Sequence, residues 1–87
     1  MIQKTMTVRL DNGLEARPVA LFVQVASQYE SEVFVKVAEK KVNAKSIMGM
    51  MSLGLDSGEQ LTIIADGADE EKAIAHIESF LNGEVDE

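Results

Sequence analysis

The spacing of the apolar residues constrains this chain more than any other feature. It switches repeatedly between two and three-or-four, and so prescribes alternating strands and helices. Met6, Val8 and Leu10 alternate with Thr5, Thr7 and Arg9 until Asp11-Asn12-Gly13 supplies a turn. Val19, Phe22, Val23 and Ala26 then recur at helical spacing, behind a Pro18 whose missing N–H costs little near a helix start. Val33, Val35 and Val37 share one face of a strand over residues 31–37. Lys40, Lys41 and Val42 read as a short strand returning after an Ala38-Glu39 turn. Ser46 is a good N-cap and Gly54 a plausible stop for one or two helical turns. Residues 60–65 form a further strand, with Leu61, Ile63 and Ala65 on one face and Thr62 and Ile64 on the other, ended by Asp66-Gly67. Asp69 is expected to cap a last helix whose first turn, Glu70 and Glu71, suits the helix dipole. Its apolar stripe is Ala73, Ile74, Ile77, Phe80 and Leu81, Gly83 ends it, and the acidic tail Glu84-Val85-Asp86-Glu87 is expected to fray.

The order is therefore β-α-β-β-α-β-α. Short connections favour an antiparallel sheet of four strands with the helices on one face, an α+β open-faced sandwich. The pattern alone equally allows a ferredoxin-like domain with an added helix. With 87 residues and 46% hydrophobic content, the chain suffices for one domain over residues 1–87 with one core. It has no cysteine, which rules out disulfides and thiolate metal sites. A net charge of −7 disfavours binding to nucleic acid or anionic lipid. No apolar run approaches the length of a membrane span, and the first residues lack the apolar core of a signal peptide, so a soluble, cytoplasmic protein is expected.

Two helix starts concentrate the polar chemistry. In Gly13-Leu14-Glu15-Ala16-Arg17-Pro18, the guanidinium of Arg17 stands beside unsatisfied N–H groups that favour an anion, while Glu15 puts a carboxylate in the same place. These residues also fit a plain helix cap with a local Glu15–Arg17 pair. In Asn43-Ala44-Lys45-Ser46-Ile47-Met48-Gly49, Ser46 is first of all an N-cap. The same geometry would leave its hydroxyl open to phosphorylation, and the helix start would favour the added charge. Ile47, Met48, Met50 and Met51 cannot all reach the core from one short helix, so some are expected to form an exposed, adaptable contact patch.

These segments resemble the HPr family of the bacterial sugar phosphotransferase system. The first is similar to HPr's active-site motif. The segment Lys45-Ser46-Ile47-Met48-Gly49-Met50-Met51-Ser52-Leu53-Gly54 is similar to its regulatory serine segment, and Asp66-Gly67-Ala68-Asp69-Glu70 also fits. The resemblance spans essentially the whole chain and implies the HPr-like open-faced fold. One departure matters: the family carries its phosphoryl group on a histidine at the position of Glu15, and the one histidine here, His76, lies far along the chain. Carrier activity is therefore not expected, and neither is a cofactor, a metal or an enzyme. HPr paralogues that lack this histidine but keep the serine form the Crh branch, in which glutamine stands at the position of Glu15.

That resemblance implies a non-enzymatic regulator. HPr kinase/phosphorylase would phosphorylate Ser46, and the phosphoprotein would act as corepressor of the transcription regulator CcpA in carbon catabolite repression. Ile47, Met48 and Met51 would supply apolar contact, Arg17 and Ala20 would border it, and Lys45 would help present the serine. Other readings are a modulator of a metabolic enzyme and a carrier using Glu15 as an acyl-phosphate site. Glu15 would be a weak imitation of a phosphohistidine. Both monomer and homodimer fit the sequence, and Asn12-Gly13 makes strand exchange conceivable.

Overall fold

Alternating residues do form the strands expected of them, and the helical spacings do form helices. The computed structural model describes residues 1–11, 13, 14 and 16–83. Its elements run β1 (Ile2–Thr7), α1 (Ala16–Ser27), β2 (Glu32–Val37), β3 (Lys40–Asn43), α2 (Ile47–Met51), β4 (Gln60–Asp66) and α3 (Glu70–Leu81). The four strands make one sheet in the order β1-β4-β2-β3, and every neighbouring pair is antiparallel. Met6 lies opposite Leu61, and Val35 lies between Ile63 on one side and Val42 on the other. A strand's period of two then puts Met6, Leu61, Ile63, Ala65, Val33 and Val35 on one face, all buried.

The helices cover that face. Val19, Phe22, Val23 and Ala26 of α1 and Ala73, Ile74, Ile77, Phe80 and Leu81 of α3 are buried in the same cluster. Phe22 meets Phe80 edge-on with ring centroids 6.1 Å apart, a favoured aromatic geometry. The opposite face carries exposed Gln3, Thr5, Gln60, Glu32, Lys36 and Lys41. There the Lys41 ammonium sits 4.6 Å from the centre of the half-buried Phe34 ring.

Three local expectations shift. β1 starts earlier than its apolar alternation suggests and stops at Thr7, so Val8 and Leu10 lie beyond it. Val8 is nevertheless fully buried, and its N–H and C=O pair with Glu59 and Gly58. The chain then leaves the sheet, and Arg9 N–H donates to the Leu81 carbonyl at the end of α3. The short helix ends at Met51 with Ser52 as its C-cap, before Gly54. Asp69 occupies the N-cap position of α3 but gives that helix no side-chain hydrogen bond. Its carboxylate turns instead to the α1–β2 connection, where it accepts from the N–H groups of Glu30 and Ser31 and from the Ser31 hydroxyl. Glu70 takes over locally by accepting the N–H of Gly67 at 3.0 Å. The expected turn residue Asn12 and the expected fraying of residues 84–87 lie outside the described residues.

Candidate functional site

The segment that carries Ser46 begins where β3 ends. The Asn43 side chain accepts the N–H of Lys45 at 2.8 Å, and the Asn43 carbonyl accepts that of Ser46 at 3.0 Å, so the chain turns tightly into α2. Ser46 has extended backbone angles (φ −107°, ψ 116°), as an N-cap requires, and its Oγ accepts the N–H of Gly49 at 3.1 Å. The oxygen is thus an acceptor toward the helix, which leaves its own proton free to point away. Ser46 is only partly buried. A Cβ added at Gly49 would lie 3.3 Å from the Val42 side chain and 3.4 Å from that oxygen, so the glycine lets the turn sit close against β3.

Around this hydroxyl the short helix divides its apolar residues. Met50 points into the core and is 1% exposed. Ile47, Met48 and Met51 are 49%, 85% and 52% exposed and make the apolar surface beside Ser46. Lys45 does not hang free: its ammonium donates to the Tyr29 carbonyl at 2.7 Å, which ties the serine segment to the α1–β2 connection. Arg17 is exposed in the first turn of α1, Ala20 is half-buried a turn later, and α1 packs against α2. Arg17 and Ala20 therefore stand on the helix adjoining the serine segment. Glu15, expected at a degenerate active-site position, lies outside the described residues.

Gly13, two residues earlier, is held at φ +70°, a left-handed conformation that favours glycine. A Cβ there would fall 2.6 Å from the Leu55 carbonyl oxygen, the same oxygen that accepts the N–H of Leu14 at 2.8 Å. Gly13 and Leu14 are thereby pinned to the loop that follows α2.

Other polar contacts had no signal in the sequence because they join distant residues. His76 is half-buried on α3, and its Nδ1 shares a 2.6 Å hydrogen bond with the Tyr29 hydroxyl. Tyr29 is therefore engaged at its backbone by Lys45 and at its ring by His76. The Ser31 hydroxyl and the Glu30 N–H hold the Asp69 carboxyl below its ordinary range. The Gly67 N–H and the amino-terminal ammonium do the same for Glu70. No group of acidic, histidine or cysteine side chains suited to a metal ion occurs among the described residues, and no described helix is long and apolar enough to cross a membrane.

The comparisons with known proteins agree with this geometry. The family described as the PTS HPr component phosphorylation site matches residues 2–83. The chain is a member of the HPr family. It is 49% identical to the HPr-like protein Crh of Bacillus subtilis (strain 168) over 85 residues, which cover 98% of this chain and all of that one. The crystal structure of HPr-C-His from Thermoanaerobacter tengcongensis superposes with a TM-score of 0.88 at 45% identity, covering 98% of this chain and 99% of that one. The crystal structure of Bacillus subtilis Crh, described as a dimer with a swapped domain, gives a TM-score of 0.78 at 48% identity over the whole of both chains. The α+β open-faced sheet is thus the HPr fold, and the ferredoxin-like alternative falls. Proteins of this kind are carriers or regulators and not enzymes, and similarity to Crh supports an HPr-like regulatory protein.

Proposed function

We propose that this HPr-like protein is a cytoplasmic regulator switched by phosphorylation of Ser46. HPr kinase/phosphorylase adds the phosphate, and the phosphoprotein binds CcpA as a corepressor in carbon catabolite repression. The observation that carries this reading is the pairing of a partly exposed capping hydroxyl with an exposed apolar patch on one short helix. Phosphate on Ser46 brings about −1.5 to −2 charges and further acceptor oxygens beside the Gly49 N–H that already faces that position. The fold has no reason to change, since the cap is already in place. Basic groups on the partner read the phosphate, and Ile47, Met48 and Met51 supply the contact beside it, with Arg17 and Ala20 at its border. Lys45, held on the Tyr29 carbonyl, fixes the approach to the serine.

Carrier chemistry is not part of this function. Glu15 replaces the family's nucleophile, and the one histidine of the chain, His76, is engaged with Tyr29. The swapped dimer described for Bacillus subtilis Crh favours a homodimer of this chain too, formed by exchange of β1, whose partner here is its own β4. Sedimentation velocity over a concentration series tests that: a single monomeric species throughout would end it.

The switch itself is tested by incubating the protein with ATP and HPr kinase/phosphorylase, then taking an intact mass and a peptide map. One phosphate, on Ser46, is expected, followed by phosphate-dependent binding to CcpA. Ser46→Ala is expected to lose both while keeping the fold. Phosphate-dependent binding by that variant would falsify the assignment.

A further inference from the structure

The methionines of this chain divide by exposure. Met48 is 85% and Met51 52% exposed, whereas Met6 is 5% and Met50 1% exposed. Met48 and Met51 stand three residues apart on α2, so their side chains neighbour each other on the flank of the helix that Ser46 caps. A thioether sulfur is nucleophilic and is oxidised by peroxides where it can be reached. No thiol competes, because the chain has no cysteine.

We propose that Met48 and Met51 form a peroxide-responsive modification site that turns the apolar surface beside Ser46 polar and weakens docking there. The docking part rests on the reading of Ser46 given above. In each step the methionine sulfur attacks one oxygen of hydrogen peroxide. An S–O bond forms, the O–O bond breaks, and the departing hydroxide takes the proton from the new S–OH group. The products are a methionine sulfoxide and water. Sulfur is oxidised by two electrons and the peroxide is reduced by two. A dithiol reductant reverses the change, yielding the thioether, a disulfide and water.

The sulfoxide is a polar, hydrogen-bond-accepting group on a side chain that otherwise offers only apolar, polarisable contact. Ile47 remains apolar, so the patch is weakened and not erased. Met6 and Met50 hold the core and are shielded, so the modification alters the surface and leaves the fold intact.

The test treats the full chain with dilute hydrogen peroxide and follows each methionine by peptide mapping. One oxygen each is expected on Met48 and Met51, and also on exposed Met1, while Met6 and Met50 stay unmodified and the NMR spectrum stays that of the folded protein. Oxidation of Met50 or Met6 as fast as of Met48 would overturn the proposal. This map needs no partner, so it stands or falls even if the reading of Ser46 fails, a failure seen as absent binding by the reduced phosphoprotein. Where the reduced form binds CcpA, peroxide is expected to weaken binding about tenfold, and a thiol-dependent sulfoxide reductase to restore it. The double variant Met48→Leu/Met51→Leu, whatever its starting affinity, is expected to show no peroxide response. Unchanged affinity of the oxidised native chain, or an undiminished response of the double variant, would also overturn it.

Discussion

At the scale of single residues, two polar side chains have measurable consequences. Asp69 binds the α1–β2 connection to the start of α3 by accepting from Glu30 and Ser31, and these bonds hold its carboxyl below its ordinary range. Gly67 lies so close that a Cβ there would come 2.6 Å from Ser31, which leaves room for nothing larger. A carboxyl lowered in the folded state contributes stability above its unfolded value of about 4, and loses it as pH falls through the folded value. Lowering the pH below about 4 is therefore expected to reduce the melting temperature more in the native chain than in Asp69→Ala. Parallel melting curves in the two proteins would contradict this. Ser46 is the second such residue. Its single bond to Gly49 predicts that Ser46→Ala loses only about 0.5–2 kcal/mol in urea unfolding.

At the scale of elements, α2 shows how one short helix can serve the core and the surface at once. Met50 fills the core while Met48 points to solvent. Met50→Ala is expected to destabilise the protein by about 2–5 kcal/mol by leaving a cavity. Met48→Ala is expected to stay within about 0.5 kcal/mol, so equal losses in the two variants would show that the helix is rotated from this setting. The β2–β3 hairpin offers a gain. Ala38 holds φ 54° in its tight turn, a left-handed conformation that costs a non-glycine residue about 1–2 kcal/mol. Ala38→Gly relieves this, and after glycine's larger unfolded-state entropy is subtracted a net gain of up to about 1 kcal/mol is expected. A lower midpoint of unfolding would refute it.

For the whole molecule, the sheet and its helices act as a frame that does not need to move. The core forms one cluster to which every helix and β1, β2 and β4 contribute, and Met50 anchors α2 in it. Phosphorylation of Ser46 is therefore expected to shift NMR amide signals only near residues 43–53 and the adjoining turns of α1. Shifts spread through β1 and β4 would mean a refolding switch instead of a changed surface. The chain's net charge of −7, made more negative by phosphate, further predicts that binding to a basic partner site weakens as salt rises.

The sequence by itself determined the elements, their order and the buried face of each strand. Periodicity and caps are local properties, which residues only a few positions apart enforce. Val33, Val35, Leu61, Ile63 and Ala65 were legible in this way, as were Ser46 as a cap and the resemblance that points to its role. Only the tertiary structure decided which methionine of Ile47-Met48-Gly49-Met50-Met51 is buried, because a five-residue helix has too few turns for its own pattern to fix its rotation about the axis. It also decided that Asp69 serves Ser31 and not its own helix, that Lys45 rests on Tyr29, and that Val8 stays buried beyond the end of β1. In the Asp69 and Lys45 contacts the partner lies 38 and 16 residues away in the chain, so the contact exists only once the sheet has closed and brought the two segments together.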